Sequence, residues 1–197
     1  MRPESGRTIR VASERDLDGI TATLTAAFEA DPLWSWAFPE RGLDPLWRLL
    51  VSSAMRYSLV RVVGDYAAAS VWIPPGGSEM TAAEEASLGP MLEDQIGSRA
   101  AEVLALFECM ERAHPAGPPH YYLSLLGTHP DHRGKGLGMA LLADNLAELD
   151  SEGAPAYLES SNPDNDARYA RLGFERVGEF ERPDGRLICS TMWREPR

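Results

Sequence analysis

The chain has 197 residues, of which 44% are hydrophobic and 25% are charged, a balance that predicts a folded protein rather than a disordered one. Its formal net charge of −11 argues against nucleic acid as a partner, because phosphate backbones need basic surfaces, and it is compatible with an amine substrate. The two cysteines, Cys109 and Cys189, share no CxxC spacing, so neither a disulfide framework nor a zinc site is indicated.

The N-terminal stretch lacks the apolar core of a signal peptide, and no run of about 18 apolar residues could form a transmembrane helix. The chain shows no internal repeat, low-complexity segment or linker, and its length suits one sizeable core. We therefore expect a cytoplasmic protein with a single domain over residues 1–197 and no membrane partner. Its oligomeric state is open between a monomer and a homodimer.

The first third of the chain predicts a strand and two helices. Thr8–Ala12 alternates in polarity as a strand does, and Asp16 is placed to cap a helix that ends before Asp31-Pro32. An aromatic loop, LWSWAFPERG, comes next, and residues 44–60 have the apolar spacing of a second helix.

The middle of the chain predicts two strands on either side of a helical region. Residues 65–73 lead into a Pro-Pro-Gly-Gly sequence and leave no room for a helix of usual length, which indicates a strand. Residues 81–113 predict helical pieces that are broken at Gly89-Pro90, and a proline-rich loop over residues 113–119 follows. Tyr121–Leu126 is a strong strand candidate that ends at a glycine-rich stretch.

The last third predicts a helix from about residue 138 to residue 151, the strand Ala156–Glu159 and a short helix around residues 165–171. Gly173 is placed to close that short helix, and residues 174–180 and 187–193 predict a terminal hairpin. Strands and helices mixed within one chain of this length predict a single α/β domain.

The glycine-rich stretch THPDHRGKGLGMALL, residues 128–142, stands between a strand and a helix N-terminus and therefore predicts an anion site. The first N–H groups of a helix lack intrahelical acceptors, and glycines let a phosphate approach them without an intervening Cβ. A P-loop is excluded because Gly136 stands where its Ser or Thr belongs, and a dinucleotide-binding fingerprint would need a glycine in place of Met139. Arg133 and Lys135 add positive charge to the stretch.

Two signatures in this chain resemble those of the GCN5-related N-acetyltransferase (GNAT) superfamily. Arg133-x-x-Gly136-x-Gly138 after a strand is similar to the family's acetyl-CoA signature, Q/R-x-x-G-x-G/A, and YARLGF at 169–174 is similar to its second signature. The stretches LTAAFEADP, VWIPP and PAYLESSNPDN look like those of puromycin N-acetyltransferase and its bacterial relatives. The resemblance covers nearly the whole chain and implies a single GNAT domain that uses acetyl-CoA. It also implies an α/β (α+β) fold, with a mixed, twisted central sheet flanked by helices.

The resemblance also implies how the cofactor binds. Backbone amides of the glycine-rich loop would bind the CoA pyrophosphate, and the matching positions here are Arg133, Gly134, Lys135, Gly136, Leu137, Gly138 and Met139. The preceding strand would offer edge groups of Leu126 and Thr128 to the pantetheine arm, with the Leu126 N–H facing the thioester carbonyl as an oxyanion donor. The family usually has a valine at Thr128, a departure that leaves a backbone role intact. The ammonium of Lys135 is either a phosphate ligand or simply solvated.

Two side chains are candidates for proton transfer. Tyr169 matches the position where many family members hold a tyrosine near the CoA sulfur, and it would protonate the departing thiolate; the alternative is a tyrosine packed under the hairpin. Glu159 lies where relatives hold a carboxylate facing the acceptor, and it would deprotonate or anchor the amine; the alternative is a glutamate that faces outward. Alternation with Leu158 allows only one of these two strand residues to face the site.

Other polar residues near the signatures have weaker claims. Asn162 and Asn165 would contact the cofactor, although capping of the following helix explains them equally well. His120 and His129 are weaker candidates for the base, since His120 opens a strand and His129 adjoins a proline in the loop. No spacing of His and Glu resembles a metal site, and acetyl transfer requires no metal.

Aromatic residues are candidates for the acceptor site, because the segment between the first two helices lines that site in this superfamily. The candidates in that segment are Trp34, Trp36 and Phe38, and Tyr121, Tyr122 and Trp72 would join them. Aromatic walls beside a carboxylate suit an amine on a hydrophobic body. The alternative is burial in the core, which we favour for Trp72.

The resulting hypothesis is acetyl transfer from acetyl-CoA to a primary amine, by direct attack in a ternary complex. Neither cysteine adjoins the signatures, which disfavours a covalent cysteine intermediate. The likeness to puromycin N-acetyltransferase suggests a small-molecule acceptor of the aminonucleoside or antibiotic type, with a role in antibiotic resistance. The alternatives are a peptide or protein N-acetyltransferase and a CoA-binding sensor or interaction module without catalysis.

Overall fold

The computed structural model describes residues 8–40 and 42–197. Parts of the expected domain over residues 1–197 and of the aromatic loop, namely residues 1–7 and Arg41, lie outside the described residues. Seven strands form one sheet in the order β1-β2-β3-β4-β5-β7-β6, and only β4 and β5 run parallel. The strands are β1 Ile9–Val11, β2 Val60–Val63, β3 Ala68–Ile73, β4 Tyr121–Thr128, β5 Ala156–Ser160, β6 Glu175–Glu181 and β7 Ile188–Arg194.

Helices pack on both faces of this sheet, which confirms the predicted α/β class. They are α1 Leu17–Phe28, α2 Trp34–Ala37, α3 Leu43–Ala54, α4 Ala82–Ile96, α5 Ala100–Ala113, α6 Leu137–Ser151 and α7 Asp166–Arg171. α1, α3, α4 and α5 cover one face, where Ile20, Trp47 and Leu106 are fully buried. α6 covers the other face with Leu142 and Leu146.

The structure corrects two boundaries in the first half of the chain. The helix expected over residues 44–60 ends at Ala54, and β2 follows it. Ser58 has a left-handed backbone (φ 56°), which stops helical propagation and turns the chain into the strand. The strand expected from residue 65 begins at Ala68, because residues 64–67 form the tight turn between β2 and β3.

Two further expectations about the helices are corrected by the structure. The predicted break at Gly89-Pro90 is absent, since α4 runs through Pro90 to Ile96 and is capped by Gly97, where φ is +55°. The proline removes one backbone donor inside a helix that a Thr81–Glu84 capping box starts. Asp16 occupies the N-cap position of α1 as expected, but its side chain makes no capping hydrogen bond; its carboxylate binds Ser13 and Arg10 instead.

The two parallel strands separate after only three residue pairs. β4 and β5 pair from Tyr121 with Ala156 to Leu123 with Leu158, and no further pair joins them among the described residues. At the same point the pairing of β3 with β4 shifts register, which leaves Ser124 as an extra residue in a β-bulge. The strands therefore open into a V-shaped cleft in the middle of the sheet.

Candidate active site

A groove of about 560 Å³ runs along the mouth of this cleft. Its walls come from the end of α1, the second half of β4, the glycine-rich loop with the start of α6, and the turn before α7. The sequence-predicted residues that line it are Leu126, Thr128, Arg133, Gly134, Gly136, Leu137, Gly138, Met139, Asn162, Asn165 and Tyr169. Lys135 is not among the lining residues; its ammonium bonds to the Asp131 carbonyl oxygen at 3.2 Å, on the solvent side of the loop.

The backbone of the glycine-rich loop fits a phosphate group. Gly134 and Gly136 have φ values of +75° and +72°, and a Cβ at either position would have no atom within 4 Å, so both glycines border open space. The first N–H groups of α6, a helix of 15 residues, follow directly and carry the positive end of its dipole. The Arg133 guanidinium donates to the Ala27 carbonyl oxygen at 2.8 Å and holds the loop against the end of α1. The loop and the helix start therefore form a site whose shape and polarity suit a phosphate group.

Gly138 allows α6 to start close to β4. A Cβ at this position would lie 2.5 Å from the Thr128 hydroxyl oxygen, which is closer than such atoms can approach. The glycine therefore sets the depth of the groove between the loop and the strand.

The bulge at Ser124 determines which backbone groups of β4 face the cleft. The Tyr121 N–H donates to the Pro155 carbonyl oxygen on the β5 side, whereas the His129 N–H donates to the Ala67 carbonyl oxygen on the β3 side. Because backbone groups alternate along a strand and the bulge shifts the alternation by one residue, the N–H groups of Leu126 and Thr128 point into the cleft.

A second, smaller cavity of about 60 Å³ continues from the groove into the protein. The two spaces share the lining residues Phe28, Asp31, Leu126, Asn165 and Tyr169. A molecule in the groove and one in the cavity would therefore meet between Leu126 on β4 and Tyr169 on α7. None of the described residues that line the cavity is Lys or Arg.

Glu159 lies at the inner end of this cavity with only 4% of its side chain exposed. The Tyr122 hydroxyl donates to its Oε2 at 2.9 Å, and the Tyr157 hydroxyl donates to its Oε1 at 3.0 Å. Burial raises the pKa of Glu159 to about 8, and the neighbouring Glu79 carboxylate adds to the rise, whereas the Tyr122 and Tyr157 hydrogen bonds oppose it. Glu159 and Leu158 both border the cavity, and the Leu158 side chain also packs in the core on the α6 side of the sheet.

Two further carboxylates lie beside the cavity and were not identified from the sequence. Asp31 lines both spaces; it accepts the N–H groups of Leu33 and Trp34 and the Ser161 hydroxyl, and burial raises its pKa. Glu79 precedes α4 and accepts the hydroxyl of Ser124, the bulged residue that lines the cavity. Burial of its carboxyl group raises the pKa of Glu79.

Tyr169 lies on α7 at the junction of the two spaces. Burial raises the pKa of its hydroxyl to about 12, and the Asp31 carboxylate contributes to that shift. The hydroxyl is therefore protonated at neutral pH. The neighbouring Asn162 accepts the Asp164 N–H at 3.0 Å as the cap of a single 3₁₀ turn, and Asn165 accepts from Arg168.

The aromatic candidates separate into two groups. Trp34 and Tyr122 line the cavity, and Trp34 rests on Trp47 with ring centroids 4.7 Å apart.

Trp36 and Phe38 line neither space: Phe38 is buried in the core, and Trp36 lies beneath the Arg99 and Arg182 guanidinium groups. Tyr121 faces the other side of the sheet, where its hydroxyl donates to Glu152, because side chains alternate along β4.

The remaining candidates have structural partners. Trp72 is buried and donates to Asn145, as favoured from the sequence. His129 caps the turn after β4 by accepting the Asp131 N–H. Among the described residues, no group of three His, Cys, Asp or Glu side chains is arranged to hold a metal ion, and no helix is both long and apolar enough to cross a membrane.

Comparison with known proteins points to one family. The family model described as "Acetyltransferase (GNAT) family" matches residues 78–174, which include β4, the glycine-rich loop, Glu159 and Tyr169. A Corynebacterium glutamicum structure described as histone acetyltransferase HPA2 and related acetyltransferase is 25% identical, with a TM-score of 0.72 over 98% of this chain and 97% of its own.

Two more distant structures share the fold. Polyamine N-acetyltransferase from Drosophila melanogaster, described as catalysing the formation of N-acetylagmatine, is 17% identical with a TM-score of 0.68, over 95% of this chain and 99% of its own. A GNAT acetyltransferase from Brucella melitensis, solved in complex with acetyl-CoA, is 16% identical with a TM-score of 0.53, over 95% of this chain and 86% of its own.

Proposed function

Because the chain belongs to the GNAT acetyltransferase family and uses acetyl-CoA, we propose that it acetylates a primary amine on a small cationic molecule. Acetyl-CoA supplies the acetyl group as a thioester. The observation that carries the proposal is the position of Glu159, a buried carboxyl group with a raised pKa at the end of a cavity that opens beside the cofactor groove.

The electrostatic character of the cavity favours an acceptor that arrives as an ammonium ion. Glu159 and Asp31 line it, and Glu79 approaches through Ser124. No Lys or Arg among the described lining residues neutralises them. A cation in such a low-dielectric site is strongly attracted to the carboxylates. Trp34 and Tyr122 add aromatic walls that suit the carbon skeleton of the amine.

The described residues supply each proton and charge that the transfer requires. The Glu159 carboxylate takes a proton from the ammonium group, which makes the nitrogen nucleophilic. The Leu126 N–H donates to the thioester carbonyl oxygen as negative charge develops there. The Tyr169 hydroxyl donates a proton to the departing sulfur, and the tyrosinate regains one from the nitrogen as the amide forms.

The pKa and the positions of the cysteines support direct transfer of the acetyl group to the amine. Burial raises the pKa of Cys189 to about 12, which disfavours a thiolate nucleophile, and neither cysteine lines the groove or the cavity. The acetyl group would therefore pass to the amine without an enzyme-bound intermediate.

The test is a panel of acceptors incubated with acetyl-CoA, with the release of free thiol as the measurement. The panel contains puromycin, 2-phenylethylamine, agmatine, spermidine and a lysine-containing peptide. We expect at least one small amine to have a kcat/KM about tenfold or more above that of the peptide, since the cavity is narrow and enclosed. Preference for the peptide would contradict the proposal, and preference for puromycin would identify an antibiotic-type acceptor.

Residue variants connect that activity to the cavity. Glu159→Gln keeps the shape of the side chain but removes the base, so kcat/KM for the best amine should fall about 100-fold or more. Glu175→Gln, an exposed substitution on β6, is the matched control and should retain full activity. Equal activity in both variants would exclude Glu159 as the base.

A further inference from the structure

Two histidines connect the buried Glu159 to the protein surface. His114 follows the last residue of α5, and its Nδ1 lies 3.9 Å from Oε1 of Glu159. Its Nε2 lies 3.0 Å from Nε2 of His120, the residue before β4. Nδ1 of His120 lies 2.7 Å from the carbonyl oxygen of Pro118, in an exposed loop. The four groups form a chain from the floor of the cavity to solvent.

The hydrogen-bond partners determine where the protons lie in the neutral chain. A carbonyl oxygen only accepts, so Nδ1 of His120 carries a hydrogen and its Nε2 has a lone pair. Nε2 of His114 must then be the donor between the two rings, and this leaves a lone pair on Nδ1 of His114, facing Glu159. Each histidine is thus oriented to accept from the cavity side and to donate toward the surface.

The surroundings keep His114 neutral between turnovers. Burial lowers its pKa to about 4, and the neighbouring His120 contributes to that shift. The rings of Tyr122 and Tyr157 pack edge-on against it, with centroids 4.9 Å and 4.7 Å away. A neutral imidazole can take a proton from one side and release another from the other side without retaining a charge.

The stoichiometry of acetyl transfer requires an exit for one proton. An ammonium ion brings three N–H hydrogens; one stays on the amide, one ends on the thiol sulfur, and the third must reach water. Glu159 accepts that third proton in the proposed mechanism, yet only 4% of its side chain is exposed. The carboxyl group must therefore lose the proton through other groups before it can act as the base again.

We propose that His114 and His120 form the path by which the proton on Glu159 leaves the active site. The inference rests on the proposed function. In the step, the Oε1–H bond of Glu159 breaks as Nδ1 of His114 gains that hydrogen, and the Nε2–H of His114 passes to His120. Nδ1–H of His120 is then lost to water, and reversion of the tautomers restores the chain. Closure of the 3.9 Å gap by about 1 Å brings the first pair within hydrogen-bond length.

The positions of the hydrogens on the two histidine rings are tested first, in the absence of any acceptor. Long-range ¹H–¹⁵N NMR spectra of the free protein identify which ring nitrogen of each histidine carries the hydrogen. We expect an Nε2–H tautomer for His114 and an Nδ1–H tautomer for His120. The opposite tautomer at His114 would overturn the proposal whether or not any amine is acetylated.

Kinetic measurements then test proton transfer through the two histidines, with the best amine of the acceptor panel as the substrate. His114→Gln should lower kcat/KM for that amine about 10- to 100-fold while the KM for acetyl-CoA stays constant, and 100 mM imidazole should restore about a third or more of the loss. His120→Gln, nearer the surface, should show a smaller loss with a raised solvent isotope effect on kcat. Arg112→Gln, exposed on the last turn of α5, is the control and should behave as the wild type.

The outcomes separate this inference from the proposed function. Acetylation at the wild-type rate by both histidine variants would refute the path and leave the proposed function intact. A loss that imidazole does not restore, with an unchanged isotope effect in both variants, would assign the histidines a packing role and would also refute it. Expected tautomers with no amine acetylated would contradict the proposed function instead.

Discussion

Replacement of Tyr122 by phenylalanine should shift the pH dependence of acetyl transfer upward. The Tyr122 hydroxyl donates to Oε2 of Glu159 at 2.9 Å, inside a cavity where burial has already raised the pKa of that carboxyl to about 8. This hydrogen bond is stronger to the carboxylate than to the protonated acid, so it opposes the effect of burial. Tyr122→Phe removes the donor and retains the ring that forms the cavity wall.

The size of the shift follows from the strength of the bond. A hydrogen bond to a charged group contributes about 1.5–3 kcal/mol, and one pKa unit corresponds to about 1.4 kcal/mol. Loss of the Tyr122 bond should therefore raise the pKa of Glu159 by about 1 to 2 units from its value of about 8. Since the base acts only when ionised, activity at pH 7 should fall about 10- to 100-fold and should be regained at about pH 10.

The assay is kcat/KM for the best amine between pH 6 and pH 11, at saturating acetyl-CoA. Comparison of variant and wild type with the same amine cancels the titration of the amine itself. Tyr66→Phe is the matched control, because the Tyr66 hydroxyl also donates to a carboxylate, that of Asp16, at 2.9 Å. Neither residue lines the groove or the cavity. An acidic limb of the Tyr122→Phe profile that stays in place or moves to lower pH would refute the assignment of Glu159 as the base.

Three other variants follow from the same contacts. Glu159→Gln should gain stability relative to the wild type as pH rises from about 4.5 to about 8, by at most about 5 kcal/mol in the free energy of unfolding measured in urea. The reason is that the raised pKa of Glu159 in the folded protein stabilises the wild type only while the carboxyl group is protonated. A constant difference between the two proteins across this pH range would contradict the prediction. Gly138→Ala should raise the KM for acetyl-CoA several-fold, because the added Cβ would lie 2.5 Å from the Thr128 hydroxyl oxygen. If that contact is the cause, the double variant with Thr128→Ala should return the KM toward the wild-type value. Tyr169→Phe should lower kcat about 100-fold with the Kd for acetyl-CoA within about twofold of the wild type by calorimetry; parallel losses in both would indicate a packing role.

Features encoded by neighbouring residues could be predicted from the sequence. The glycine-rich loop is one, because strand, glycines and helix start follow one another within residues 121–151. β2 was missed because the apolar spacing of α3 continues past its true end, and only the left-handed backbone of Ser58 separates the helix from Val60–Val63. Pro90 gives the opposite error, because it predicts a break in a helix that the structure shows to be continuous. Tertiary packing can override the low helix propensity of a single residue.

The polar surroundings of Glu159 depend on contacts between distant segments. Glu79, His114 and Tyr122 come from the loop before α4, the end of α5 and β4, and no spacing in the sequence joins them. Tyr157 could have been found, because residues two apart on a strand share a face and Glu159 is two residues further on. The contact of Ser124 with the cavity could not have been found in this way. The direction of its side chain depends on a β-bulge, and the position of that bulge is set by pairing with β3.

Burial gives the two proton-transferring groups of the site different tasks. It raises the pKa of Glu159 to about 8 and that of Tyr169 to about 12, so the first can lose its proton near neutral pH while the second retains one to donate. An arriving ammonium ion favours the ionised form of Glu159, because opposite charges attract strongly in a buried site. Binding of the acceptor therefore expels the proton that Glu159 holds in the free protein, and the substrate itself generates the base. The His114–His120 path is then needed before chemistry begins, and the acidity of the cavity both selects the cation and prepares its deprotonation.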